Sequence, residues 1–175
     1  MNVKAIVYTS GTGTTAEYAK LLGKKTKLPV YSLDDAENEL PKGSEIIYLG
    51  WLMASTIKGY KKAAKLYLVK IVCGVGLATG GSQLPEVRKM NAIPDKLPLY
   101  TLQGGFDMNK LHGMNKLMMK IMRRVLKKQI FKKPERTPED EKIVQMLDHG
   151  GSAVCAENLV PVIEQIVSGT VAKTQ

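Results

Sequence analysis

Cysteine, tryptophan and phenylalanine are scarce in this 175-residue chain, with two, one and two residues. Two cysteines, Cys73 and Cys155, are too few for a disulfide scaffold and lack metal-ligand spacing, so both are expected as buried, reduced thiols in a cytosolic protein. No apolar run approaches the roughly 20 residues of a membrane-spanning helix. Internal repeats are absent, and no Pro/Gly/Ser linker separates two cores. Residues 1–175 therefore read as one domain, with a helical insertion over 107–150. The opening Met1-Asn2-Val3-Lys4 runs into a short apolar stretch without a small-residue cleavage site, so no signal peptide is expected. At 44% hydrophobic and 24% charged residues, the composition is that of an ordinary globular protein and excludes disordered and collagen-like classes.

Acids are missing where bases crowd. Residues 105–136 hold ten Lys/Arg and two acids, a net of +8, whereas the other 143 residues hold sixteen and fourteen, a net of +2. A local basic block speaks of a partner more than a diffuse excess does.

Short β-branched runs alternate with amphipathic stretches, the pattern of a parallel sheet with crossover helices. Strands are expected at 3–8, 29–33, 45–50, 68–74 and 97–102, with helices at 14–25, 58–66 and 84–90. Past residue 107 the pattern changes. Residues 109–129 read as one long helix with Leu111, Met114, Leu117, Met118, Ile121, Met122 and Val125 on one side. Lys116, Lys120, Arg123, Arg124 and Lys127 lie opposite. Thr137-Pro138-Glu139-Asp140 starts another helix, with an N-cap threonine, an early proline and first-turn acids. A last helix is expected over 157–167. His112 and His149 lack partners and read as surface histidines, and Asp107 reads as a cap of the long helix.

The most informative segment is Ser10-Gly11-Thr12-Gly13-Thr14-Thr15, between the first strand and the first helix. Open α/β sheets bind ligands outside the carboxyl ends of their strands. A helix N-terminus offers unpaired N–H groups and positive dipole to an anion. Small residues let the backbone wrap a phosphate, and the hydroxyls of Ser10, Thr12 and Thr15 can donate to it. The segment exceeds what capping alone needs. It lacks the Gly-Lys-Ser/Thr of nucleoside triphosphatases, the Gly-x-Gly-x-x-Gly of dinucleotide sites and the strand-end acids of phosphorelay receivers.

This segment resembles the flavodoxin phosphate loop, Ser/Thr-x-Thr-Gly-x-Thr, which cradles the FMN phosphate without a cation; every defined position matches. The resemblance covers roughly residues 1–106. The remainder is similar to the insertion-bearing branch that includes menaquinone-dependent protoporphyrinogen oxidases, where Gly-x-x-Asp leads into a basic, Met/Leu-rich helix, as Gly104-Gly105-Phe106-Asp107 does here. The resemblance implies a doubly wound, five-stranded parallel sheet of order 2-1-3-4-5, with an extra helical insertion after the fifth strand.

Further positions carry over from the family. The segment Gly50-Trp51-Leu52-Met53-Ala54-Ser55 should line one face of the flavin, with Trp51 as a stacking partner or a rim residue. Gly74, Val75 and Gly76 should reach its pyrimidine edge with backbone groups. Flavodoxins carry an aromatic and acids in that second loop, but none stands between Cys73 and Gln83, so the second face is expected open to a substrate. Fewer acids should also ease formation of an anionic reduced flavin and favour two-electron chemistry.

Two readings follow. One is an FMN-dependent oxidoreductase acting on a flat acceptor such as a quinone or a porphyrinogen, and the other a flavodoxin-type electron carrier docking on a redox partner protein. A phosphate-binding protein without a flavin is a third. A cytoplasmic location is expected. The basic stretch 109–133 either packs on its own core with a solvated side or contacts an anionic membrane or an anionic substrate or partner, at the inner face of the membrane in the lipid case. Nucleic acid is not an expected partner.

Overall fold

The computed structural model describes residues 2–81, 83–107 and 113–171. Ala5, Ile6 and Val7 are fully buried in β1 (Ala5–Thr9), as an apolar strand covered on both faces must be. Helix α1 (Thr14–Thr26) returns across the sheet on Thr15, Tyr18, Ala19 and Leu22, spaced for one helical face. The edge strand β2 (Val30–Ser32) leads directly into α2 (Leu33–Glu39), where the Ser32 hydroxyl accepts the Asp35 N–H. Strand β3 (Glu45–Met53) folds back as the short β4 (Thr56–Ile57). Next come α3 (Tyr60–Leu66), β5 (Leu68–Gly76), α4 (Leu84–Met90) and β6 (Leu99–Gln103).

The central sheet runs β2-β1-β3-β5-β6 with every neighbour parallel, and β4 adds an antiparallel strand to β3. Successive strand residues point to opposite faces. Ile46 and Tyr48 join Val7, Ala63 and Val87 in a core beneath α2, α3 and α4. Ile47 and Leu49 join Ile6, Tyr18, Leu22 and Val162 in a second core beneath α1 and α7 (Val160–Val171).

Three expectations need correction. The sheet has six strands, because the segment after Gly50 continues as strand and hairpin where a loop was expected. A separate two-stranded ribbon pairs β7 (Gly105–Phe106) with β8 (Gly151–Ser152) and brackets the helical segment. Helix α2 carried too few apolar residues, Leu33 and Ala36, to show a period.

Between the ribbon strands lie α5 (Gly113–Phe131) and α6 (Pro138–His149). The expected helix start at 109–112, with His112 and the backbone groups that Asp107 was to cap, lies outside the described residues, although Asp107 itself is described. Thr137 and Asp140 form the expected start of α6, each side chain accepting the other's backbone N–H. Glu157–Leu159 form a 3-10 turn ahead of α7, so that helix starts and ends later than expected.

Candidate functional site

Strands β1, β3, β5 and β6 end on one side of the sheet, and a cleft of about 400 Å³ opens there. That lies within the roughly 300–1,000 Å³ of small-molecule sites. Gly11, Thr12 and Thr14 form one end of it. The turn before α1 depends on Gly13, whose φ of 101° is left-handed and available to glycine at no steric cost. Ser10 Oγ accepts the N–H groups of Gly13 at 3.1 Å and Ala16 at 3.4 Å, so its hydroxyl organises the turn. Thr15 is the second residue of α1, only 1% exposed, and its Oγ1 has no hydrogen-bond partner. A buried hydroxyl left unpaired is costly and rare.

Trp51 borders this loop. A Cβ placed on Gly11 would come within 3.2 Å of the indole Cε2, so the ring lies directly against the missing side chain. The Lys58 ammonium stands 5.8 Å from the indole centroid. Beyond Trp51 the chain reverses at Ala54 and Ser55, both left-handed with φ of 46° and 59°. Neither is a glycine, so the hairpin must be held from outside. Asn91, 3% exposed, does this: its Oδ1 accepts the Ile57 N–H, and its amide donates to Ser55 and Val87 carbonyls. The Ser55 hydroxyl donates to Glu86. The Tyr48 hydroxyl donates to the Lys58 carbonyl at 2.7 Å, and burial pushes its pKa up.

Of the thirteen residues expected around the cofactor, Gly11, Thr12, Thr14, Trp51, Leu52, Met53, Ala54, Val75 and Gly76 line this cleft. Ser10, Gly13 and Thr15 shape the turn at its end, and Gly74 has another task. A Cβ at Gly74 or Gly76 would meet Leu52 at 3.1 Å, so these glycines make room for Leu52.

The opposite wall was not foreseen. The side of the cleft expected to be open is walled: α5 supplies Met119, Met122, Leu126 and Ile130, and α6 supplies Ile143. Leu117, Ile121 and Val125, assigned with Met122 to one apolar side, are exposed instead. Helix α5 carries apolar residues around most of its circumference, so its hydrophobic pattern alone does not select the cleft-facing arc. The i, i+3, i+7, i+11 spacing of Met119, Met122, Leu126 and Ile130 was the signal available.

Acids are also present. Glu86 and Asp140 line the cleft, and Asp140 pairs with Lys133 at 2.7 Å, also at its wall. The Lys133 ammonium, then the Thr137 N–H, hold the Asp140 carboxyl below its ordinary range. The premise of a cleft poor in acid therefore fails, although the loop after β5 itself carries none. Cys73 is fully buried and its thiol is pushed up to about 12, whereas Cys155 is half-buried, contrary to the expectation that both are buried. His149 is exposed at the end of α6 and is not among the cleft-lining residues of that helix.

A scan against protein-family models, a search of curated proteins and a search of solved structures each returned no match for this chain.

Proposed function

We propose that this chain is a flavodoxin-like, doubly wound FMN-binding protein, and that it acts as an oxidoreductase on a flat acceptor such as a quinone or a porphyrinogen. The observation that carries the reading is the Thr15 hydroxyl, buried and unpartnered at the N-terminus of α1, beside the Gly11–Thr14 end of the cleft. A phosphate seated on that turn would accept its proton once the turn shifts to uncover the hydroxyl, together with backbone N–H groups favoured by the helix dipole. A dianion suits this place without a metal, because the turn contributes donors and no carboxylate.

The rest of the cleft fits a planar ring system. Trp51, Leu52 and Met53 offer one wall, and Met119, Met122 and Leu126 the other. Methionine adapts to flat polarizable rings, and an indole stacks on them. FMN, when bound, supplies two-electron redox chemistry, while the protein binds, orients and shields it. The helical pair covering the cleft favours a small acceptor over a docked redox protein, which would need an exposed flavin edge.

The test is titration of the purified protein with FMN, followed by fluorescence quenching. Thr12→Asp places a carboxylate at the phosphate end and should abolish retention of FMN. Near wild-type occupancy in that variant rejects the assignment of the loop. Trp51→Ala should weaken binding by roughly 1–2 kcal/mol, the scale of an aromatic pair and its apolar area. Reduction in one two-electron step supports the enzyme, whereas a long-lived one-electron state supports the carrier.

A further inference from the structure

Helix α5 turns one side to the cleft and leaves the other uncovered. At about 100° per residue, Met119, Met122, Leu126 and Ile130 fall on one side, with Leu117, Ile121, Arg124 and Lys128 opposite. Leu117, Ile121, Val125 and Phe131 are 59%, 54%, 43% and 54% exposed, half of the large hydrophobics that the described residues expose. Leu117, Ile121 and Val125 stand at i, i+4 and i+8, a continuous ridge. Exposed Lys120, Arg124 and Lys128 are interleaved with it, and α5 contains no acid. On the flank toward α6, Asp148 pairs with Arg123 and Lys127, each at 2.7 Å. Among the described residues no carboxylate pairs with Lys120, Arg124 or Lys128.

A solvated face normally mixes charge signs and avoids contiguous large apolar side chains. We infer that this face of α5 is a docking surface for an anionic lipid bilayer. The helix lies in the interfacial plane, with Leu117, Ile121 and Val125 at the acyl boundary and Lys120, Arg124 and Lys128 against lipid phosphates. The uncompensated positive charge selects an anionic partner. The aliphatic ridge selects lipid over nucleic acid, whose phosphate backbone gives those side chains no apolar surface. Among the described residues no helix is long and apolar enough to cross a membrane, so the attachment is peripheral. Because the other side of α5 walls the cleft, docking brings the cleft to the bilayer surface. This inference rests on the exposed face alone and is independent of the flavin reading.

Co-sedimentation with vesicles tests it. The protein should pellet with phosphatidylcholine vesicles containing phosphatidylglycerol at low salt, release as salt rises, and stay in solution with phosphatidylcholine alone. Lys120→Gln with Arg124→Gln should weaken binding by roughly 10- to 30-fold. Leu117→Ser with Ile121→Ser, which keeps the charge, should weaken it by about tenfold. Lys61→Gln with Lys65→Gln removes the same charge from exposed positions of α3 and should change binding less than about twofold. No pelleting at low salt overturns the inference, as does an equal loss in the α3 pair or full binding by the Leu117/Ile121 pair. A nucleic-acid duplex captured in place of vesicles overturns it as well, as does a dimer dissolved by the α5 substitutions without vesicle binding.

Discussion

Thr79, on the loop after β5, gives both its backbone N–H and its hydroxyl to one carboxylate oxygen of Glu139, in the first turn of α6. This contact ties the glycine-rich loop to the helical pair across the mouth of the cleft. Glu139→Ala should therefore speed hydrogen exchange at 77–81 while costing only about 1 kcal/mol of global stability, the net worth of such a pair. Unchanged exchange in the loop would mean that something else holds it.

The same contact predicts an acid limit. Hydrogen bonds from Thr79 hold the Glu139 carboxyl below its ordinary value, and Lys133 does so for Asp140. Both carboxyls stabilise the closed arrangement while ionised. Their contribution is present above the ordinary carboxyl pKa and is lost as pH falls through the depressed values. Limited proteolysis across 130–140 should accelerate below roughly pH 4 and stay flat through neutrality. Acceleration on raising the pH would contradict the assignment.

Asn91→Ala removes three hydrogen bonds from a buried position and strands the Ile57 N–H. A loss of roughly 2–4 kcal/mol is expected in thermal or denaturant unfolding. Because Asn91 holds the turn at Ala54 and Ser55, FMN affinity should fall as well. A stable variant with full affinity would show that the hairpin keeps its left-handed pair unaided.

The two thiols should differ sharply. Cys73 is buried and its pKa is pushed up to about 12, so it should resist a thiol reagent at about pH 8. Cys155 is partly exposed and should react in the folded protein. Labelling is expected at Cys155 alone in the native state and at both after unfolding.

Much of the fold was legible because each parallel strand is a short, nearly continuous apolar run. The turn between β1 and α1 was legible because glycine and hydroxyl residues crowd a strand-to-helix junction. Other features depend on contacts distant in sequence. Ala54 and Ser55 carry no turn signature, and their conformation is imposed by Asn91, 36 residues from Ser55. The acids of the cleft come from α4 and α6: Glu86 meets Ser55 of the hairpin, and Asp140 meets Lys133 where α5 gives way to α6. The wall of Met119, Met122, Leu126 and Ile130 was hidden by a helix with apolar residues on both sides, so burial is decided by the sheet that it meets.

The central claim is that a phosphate sits on the turn before α1, and Thr15→Val tests it most directly. Valine fills the same volume without the unpartnered hydroxyl, so the cofactor-free variant should melt no lower than wild type, with a gain of about 1 kcal/mol expected. FMN binding should weaken by roughly 10- to 100-fold, the worth of a hydrogen bond to a charged group, while riboflavin binding stays unchanged. Wild type should prefer FMN to riboflavin, and Thr15→Val should narrow this preference. Equal affinity for FMN and riboflavin in the wild-type protein, or an FMN affinity untouched by Thr15→Val, would contradict it.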